Sequence, residues 1–451
     1  MNHGPFASCI TIVYDMTALI KEKLPASVHS LSSKQRLLSL DALRGFDMFW
    51  IIGAASLVSA LKRMSPTPVT NFLAYELGHA QWQGFHFYDL IFPLFIFIAG
   101  VSLVFSLSRS LEEKSRPEVL KRLCRRSLLL YAAGVFYYGG LDNMWPGIRL
   151  VGVLQRIAMA YFFAGLLFCF FKPRILAGIC ITLLMGYWAI TTFVPIRDIQ
   201  MTKRNLTALA TKTGDTNAAA LFAQEGNPST VKNSPVWAAA EKMYFATTNR
   251  VFAKYEPGLN VSDHADFRYL PGRKYINFYD PEGLLSTIPS VATALLGVLA
   301  GLLLKNPLMR DQKKIAYLIS FGLAGVALGW LWNVQFPVIK KIWTSSFVLV
   351  AGGYSALLLA AFYWMVDVLG FQRWCQPFVW IGMNSIAIYL AENITGGFNQ
   401  ISVRFVGGEV KAWFDLHVAQ GFGDLIVTAA GLLLAVLFLR FLYRRKIFIK
   451  L

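Results

Sequence analysis

The feature that most constrains this chain is a series of apolar runs, separated by loops in which the lysines and arginines gather. A helix that crosses a bilayer needs about 20 predominantly apolar residues. Ten runs approach or meet that length, near 44–61, 87–107, 128–141, 150–171, 174–195, 284–304, 315–336, 343–367, 376–393 and 421–443. The third is short, and the ninth is interrupted by Asn384 and Ser385. Only 15% of the 451 residues are charged, where a soluble domain carries about 25%. In lipid every backbone polar group must be satisfied internally, which leaves helices as the spanning elements for runs of this length. The expected fold class is all-α: a polytopic membrane protein with about ten transmembrane helices and one large extracytoplasmic insertion.

The formal net charge of +18 invites a nucleic-acid reading, which its distribution argues against. The basic residues cluster in alternate loops, the positive-inside pattern, and no basic-aromatic module is present. One cluster fills 108–127 with Arg109, Lys114, Arg116, Lys121, Arg122, Arg125 and Arg126. Others lie at 305–314 (Lys305, Arg310, Lys313, Lys314) and in the tail (Arg444, Arg445, Lys446, Lys450). This predicts that both termini are cytoplasmic. The division that follows is a cytoplasmic tail at 1–35, a first half-bundle at 36–195, an extracytoplasmic insertion at 196–283 and a second half-bundle at 284–451. The insertion ends R-Y-L-P-G-R-K-Y-I-N-F-Y-D-P-E-G and reads as compact, with short helices and a looser stretch at Thr211–Asn233. Of the five cysteines, Cys9, Cys124 and Cys375 are expected inside and Cys169 and Cys180 within spans, so no disulfide framework is implied.

Against this background one stretch is chemically unusual. It runs H-A-Q-W-Q-G-F-H-F-Y-D-L-I-F-P from His79, with Asp89 at the mouth of the second apolar run. Ionisable groups at membrane depth normally face a cavity and pair with one another. Several fall in the outer half of the expected bundle: Arg156 beside Gln155, Asp280, Glu282, Lys341 with Trp343, and Glu392. A polar pocket with His79 at its rim accounts for all of them. Each also has a plainer reading: a solvated histidine, a helix cap at Asp89, an interfacial anchor pair at Lys341 and Trp343. The spacing of His79, His86 and Asp89 does not call for a metal. On the inner side Asp41 and Arg44 are spaced to pair at i,i+3, and Asp47 to extend that pairing. No phosphate-binding loop, dinucleotide fingerprint or nucleophile elbow is present.

Six segments occur in order: R-L-L-S-L-D-A-L-R-G-F-D, H-A-Q-W-x-G-x-x-x-x-D-L-I-F-P-x-F-I-F-I-x-G, V-L-Q-R-I-A, D-P-E-G-L-L-S-T-I-P-S, F-P-V-I-K-K-I-W-T-S-S-F-V-L and G-M-N-S-I-A-I-Y-L. From about Arg36 to Tyr389 the chain resembles the bacterial branch of the heparan-α-glucosaminide N-acetyltransferase family of membrane acetyltransferases. Members of that branch are also labelled N-acetylglucosamine-related transporters. The resemblance implies transfer of acetyl from cytoplasmic acetyl-CoA to an amino sugar across a bacterial inner membrane. It makes His79 and Asp89 the catalytic pair, with no metal. Trp82, Arg156, Asp280, Glu282, Lys341, Trp343 and Asn384 become candidates for the acceptor. The polyanionic CoA nucleotide would suit Arg44, Arg122, Arg125, Arg126, Lys305 and Arg310. The implied partners are the lipid bilayer, acetyl-CoA and an amino-sugar acceptor, not nucleic acid, with a homodimer among the assemblies open to the chain. Where many relatives place an asparagine after span one, this chain has Gly53-Ala54, and Asn71 is the nearest substitute. An amine attacking a thioester must lose a proton, a task that suits a histidine oriented by a carboxylate. The reading from another class is a permease for an amino sugar such as N-acetylglucosamine.

Overall fold

The computed structural model describes residues 37–223, 230–232 and 234–448. The expected tail at 1–35, Cys9 and the middle of the Thr211–Asn233 stretch lie outside the described residues. The first run forms α1 (Leu38–Phe49), a π-helical turn (Trp50–Ala54) and α2 (Ala55–Met64). A short helix, α3 (Pro68–Glu76), then leads through the His79 loop into α4 (Phe87–Glu113). There follow α5 (Arg116–Tyr137), α6 (Val153–Phe170) and α7 (Pro173–Phe193). After the insertion come α12 (Thr287–Lys305), α13 (Asp311–Trp332) and α14 (Ser345–Phe362), which continues as a π turn to Val368. The chain closes with α15 (Gln376–Met383), α16 (Ser385–Thr395), α17 (Phe398–Val406), α18 (Glu409–His417) and α19 (Phe422–Arg444).

The chain is an all-α polytopic membrane protein. Among the described residues, eight helical segments, from Leu38–Met64 to Phe422–Arg444, are long and apolar enough to cross a membrane. The two that fall short are the two with the weakest sequence signal. The helix of the third run, α5, starts well before the apolar residues at 128, so Arg116, Lys121, Arg122, Arg125 and Arg126 are helical rather than looped. What reads as a basic loop at 108–127 is therefore the end of α4, a turn at Lys114–Ser115 and the start of α5. Arg, Lys and Leu are good helix formers, and Pro117 stands in the first turn where its missing N–H costs nothing. The ninth run divides at Asn384, whose backbone (φ −126°, ψ 30°) leaves the helical region.

At the centre α12 packs against α4, α6, α7 and α14 around one continuous apolar core. The α4–α12 contact depends on small residues. A methyl group on Gly100 would run into the carbonyl of Ala294, and one on Gly297 into that of Phe97. Backbones this close gain van der Waals contact where lipid offers no hydrophobic driving force between helices.

Between α7 and α12 lies the insertion: β1 (Ile196–Arg197), α8 (Lys203–Thr213), α9 (Thr216–Ala223), β2 (Thr230–Val231), α10 (Pro235–Ala246), β3 (Arg250–Val251), β4 (Tyr255–Glu256), β5 (Leu259–Asn260), α11 (Val261–Tyr269) and β6 (Arg273–Lys274). The two-residue strands pair antiparallel as β1–β3, β2–β6 and β4–β5. It has its own core, in which Trp237 stacks on Phe267 at 4.5 Å with Phe222, Phe278 and Met201 around them. The helical register of 203–223 shows that the start of the Thr211–Asn233 stretch is ordered by that core.

Candidate active site

The loop between α3 and α4 is built by α4 itself. Asp89 stands in the first turn of α4, where the helix dipole favours a carboxylate. Its Oδ2 accepts the backbone N–H groups of Ala80 and His86, each at 3.1 Å. The other oxygen, Oδ1, lies 2.8 Å from Nδ1 of His79. A carboxylate only accepts, so Nδ1 carries the ring proton and Nε2 keeps its lone pair. His86 instead occupies the N-cap of α4 and turns its Nδ1 to the carbonyl of Gly78 at 3.1 Å, with the Tyr75 ring tilted against it at 4.1 Å. The sequence position that distinguishes His79 from His86 is thus an ion-pairing position.

A second segment closes on this loop. Gly84 donates its N–H to the carbonyl of Val338 at 2.9 Å, and Gln83 bridges Ile339 in antiparallel register. That register puts the next residue, Lys340, beside the histidine. Its Nζ lies 3.3 Å from Oδ1 of Asp89 and 3.2 Å from Nδ1 of His79. Burial pulls the Lys340 ammonium below the usual lysine range, and the Asp89 charge opposes that fall. Lys341, the lysine singled out from the sequence, points the other way. Its Nζ sits over the ring of Trp82, 5.7 Å from the centroid, and Trp82 donates its indole N–H to the carbonyl of Tyr255 in the insertion. Both lysines line the cavity, and only the pairing register decides that it is Lys340 that touches the His79–Asp89 pair.

His79, Asp89, Lys340 and Lys341 line one cavity of about 610 Å³. Its floor is apolar, with Met48, Ile51, Phe92, Phe95 and Ile157, and its far wall carries Glu282, Arg149, Tyr138 and Tyr275. Trp343 also lines it. Glu282 is held by Arg149 at 2.7 Å, and Arg149 grips Asp280 through two bonds of 2.6 and 2.9 Å. The Arg149 guanidinium is sandwiched between the Tyr138 and Tyr275 rings at 4.3 and 4.7 Å. Burial and the neighbouring Asp280 charge push the Glu282 carboxyl up, with Arg149 and Arg156 opposing. Asp280 is therefore an anchor behind the wall, not a lining residue. In the sequence Arg149 is one charge in a loop, and only its fold partners make it part of the wall.

Arg156 is fully buried and does not line the cavity. It donates to Ser286 Oγ and stands 4.9 Å from the Trp343 ring centroid, on the side away from the cavity. Trp343 adopts a left-handed backbone (φ 52°), a conformation a bulky residue holds only where its surroundings enforce it. Phe92, Phe347, Arg156 and the Thr293 hydroxyl supply that enforcement. Asn384 is buried at the α15–α16 break, next to the lining residues Ser385, Ile386 and Tyr389. Asn71 lies on the exposed face of α3 and does not reach the cavity.

The basic residues expected to hold a nucleotide are at the other end of the bundle. Arg122 donates to Ser110 Oγ at 3.1 Å. Ser110 is 21 residues beyond Asp89 along α4, about 31 Å at 1.5 Å per residue. Arg126 bonds the Tyr161 hydroxyl at 3.2 Å, Lys305 pairs with Glu112 at 3.4 Å, and Arg125 and Arg310 are exposed. Arg44 reaches Ser102 Oγ at 2.7 Å, midway between the two ends of α4. None of the six lines the cavity.

The comparisons with known proteins bear on this arrangement. A family model described as heparan-alpha-glucosaminide N-acetyltransferase, catalytic, matches residues 36–215. That interval holds His79, Asp89, Arg149 and Arg156. The heparan-alpha-glucosaminide N-acetyltransferase of Mus musculus is 28% identical over 395 residues, 82% of this chain and 56% of the relative. Its Homo sapiens counterpart is 27% identical over 407 residues, 82% and 55% respectively. Over this interval the chain is similar to the heparan-alpha-glucosaminide N-acetyltransferase family. It spans about half the length of these curated relatives. The His79–Asp89 pair and the cavity wall at Arg149 fall inside the matched interval, whereas Glu282 and Lys340 come from beyond it.

Proposed function

We propose that the chain is a transmembrane acetyltransferase that moves acetyl from cytoplasmic acetyl-CoA to the amine of an extracytoplasmic, glucosamine-type sugar. The observation that carries this reading is His79 lining the cavity with its Nδ1 committed to Asp89. Nε2 then takes the proton from the acceptor amine as the amine nitrogen bonds to the thioester carbon. Asp89 fixes the tautomer and balances the imidazolium that forms. Lys340 sits where it can stabilise the oxygen charge that develops on the thioester, or anchor a sugar hydroxyl. The aromatic wall of Tyr138, Tyr275 and Trp343, with Glu282 among the rings, suits an amphipathic ring bearing a cationic amine. The basic cluster of Arg122, Arg125, Arg126, Lys305 and Arg310 would hold the CoA phosphates, and the pantetheine arm would have to pass Arg44 to bring the thioester to His79. Both termini are then cytoplasmic and the insertion is outside.

Purified protein incubated with labelled acetyl-CoA and glucosamine should yield labelled N-acetylglucosamine. Release of CoA without sugar acetylation would point to another acceptor. Absence of acetyl-CoA binding would overturn the enzyme reading and favour a permease that carries the amino sugar through the same cavity. Acid-quenched protein carrying the label on His79 would mark a two-step transfer through an acetyl-histidine, and unlabelled protein a direct one.

A further inference from the structure

One wall of the cavity is closed by a pair of rings rather than by packed helices. Tyr137, at the end of α5, and Tyr389, on α16, both line it, and they stack with centroids 4.6 Å apart and planes 17° apart. Elsewhere these helices are held by neighbours, α5 along α6 and α16 against α1, α15 and α17. Across the seam between α5 and α16 it is side chains that meet. Tyr138 takes no part in that contact and carries the Arg149 guanidinium at 4.3 Å. On the cavity side of the ring pair stand Ser385 and Ile386 of α16, with Val153, Leu154 and Ile157 of α6.

Both helices are flanked by backbone that can turn. α5 runs into Gly139 and Gly140, at φ 96° and 50°. α16 lies between the break at Asn384 and Gly396-Gly397, at φ 71° and 97°. Left-handed positions of this kind suit glycine, and the ends of elements are where hinge motions are absorbed. The outward faces of the two helices are apolar. Leu128, Leu129 and Phe136 of α5 and Ile394 of α16 are exposed, as are Met144 and Trp145 in the turn that follows α5. Tyr137 shares the cavity with the first turns of α6, a helix long and apolar enough to span. The seam therefore stands at one end of a span, where hydrocarbon gives way to head groups, a depth that favours tryptophan.

We infer that the seam between α5 and α16 is a side entrance from the bilayer, and that the acceptor it admits is an amine carried on a membrane lipid. The inference rests on the acetyltransferase reading. An amphipath in the leaflet at the cavity's end of the bundle holds its polar head group at this depth and its chains in the hydrocarbon. Those chains lie against side chains as apolar as the lipid itself. When Tyr137 parts from Tyr389, the head group turns into the cavity toward His79 while the chains stay outside against Phe136 and Ile394. A water-soluble amine has no need of this route. The His79 side chain keeps 53% of its surface exposed, so such an amine reaches it without passing the rings. Hinged ends and apolar outer faces at the seam serve an acceptor that arrives with a hydrocarbon anchor.

The test uses the purified full chain in phosphatidylcholine nanodiscs, labelled acetyl-CoA and two acceptors: glucosamine, and glucosaminyl-diacylglycerol with its amine free. The wild-type protein should acetylate both. Tyr137→Cys with Tyr389→Cys, in a background of Cys9→Ser and Cys124→Ser, lets a short bifunctional thiol reagent tie α5 to α16. Relative to the same variant left untied, the tied protein should lose transfer to the lipid-borne amine and keep its transfer to glucosamine. Lipid turnover unchanged by the tie, equal loss with both acceptors, or wild-type transfer to glucosamine alone overturns the side entrance. Should the cysteine variant fail to fold, the wild-type protein is illuminated with the same glycolipid bearing a photoreactive group beside its head group. Adducts on α5 or α16 are then expected, and adducts confined to other helices overturn the proposal. Wild-type protein that acetylates neither acceptor overturns the reading beneath it.

Discussion

The distinction between two adjacent lysines decides the chemistry at the residue scale. Lys340 touches both members of the His79–Asp89 pair, whereas Lys341 covers Trp82. Truncating Lys340 leaves Asp89 with the histidine as its one side-chain partner among the described residues, beside the Ala80 and His86 N–H groups. Lys340→Ala is expected to lower kcat about tenfold or more, and Lys341→Ala to act mainly on stability of the Trp82 contact. Steady-state kinetics on both variants checks this, and the reverse ranking would move the site lysine to Lys341. His79→Ala should lose about 10²–10⁴-fold of acetyl transfer with acetyl-CoA binding retained. His86→Ala is its control, since His86 shares the loop but bonds the Gly78 carbonyl rather than Asp89. Equal losses in the two variants would mean a damaged loop.

At the scale of the element, α4 places Asp89 only because α12 lies close along it. Gly100→Val would push a branched side chain into the Ala294 carbonyl. The cost expected is that of overpacking, about 1–3 kcal/mol or more, read as a lowered Tm in detergent, with activity falling because the first turn of α4 moves. In the insertion, Asp263 heads α11 and accepts the Gly258 N–H at 2.8 Å and the Asn260 amide at 2.7 Å. Burial pushes its carboxyl up to about 7, from about 3.9 in an unfolded chain. A raised carboxyl favours folding below pH ~4, and that contribution is lost as pH rises towards ~7. His264, pulled down to about 4 by burial, acts in the opposite sense, its contribution being lost as pH falls from about 6.5 towards 4. The Tm of Asp263→Asn relative to wild type should therefore climb between pH 4 and pH 8, by the equivalent of at most about 4 kcal/mol. A pH-independent difference would remove Asp263 from this account.

Over the whole molecule, the site and the basic cluster stand at opposite ends of α4. If the chain uses acetyl-CoA as proposed, affinity for the nucleotide should weaken with salt and with charge reversal at Arg122, Arg125 or Arg126, while His79→Ala leaves it intact. Binding measurements at several ionic strengths check this. An impermeant thiol probe on intact cells should label an engineered cysteine in 196–283 and none in 108–127. Labelling in the opposite sense would invert the orientation and end the mechanism.

The sequence by itself determined the all-α membrane class, which depends on local pattern (run length and hydropathy), and through the family likeness it singled out His79 and Asp89, whose hydrogen bond the structure shows. One boundary escapes it for the same local reason: the start of α5 is polar yet helical. The interruption of the ninth run at Asn384 is legible in the sequence and becomes the α15–α16 break. Lys340 over Lys341, Arg149 as the brace of Glu282 and Arg156 behind Trp343 came only from the tertiary structure. So did the place of Asp47, which is buried, accepts no hydrogen bond among the described residues and does not extend the Asp41–Arg44 pair as its spacing suggests. Each depends on which segment, far away in sequence, pairs with which, at what register. A one-residue slip between Gln83 and Ile339 would exchange the two lysines, and no composition or spacing along a single strand of chain carries that information.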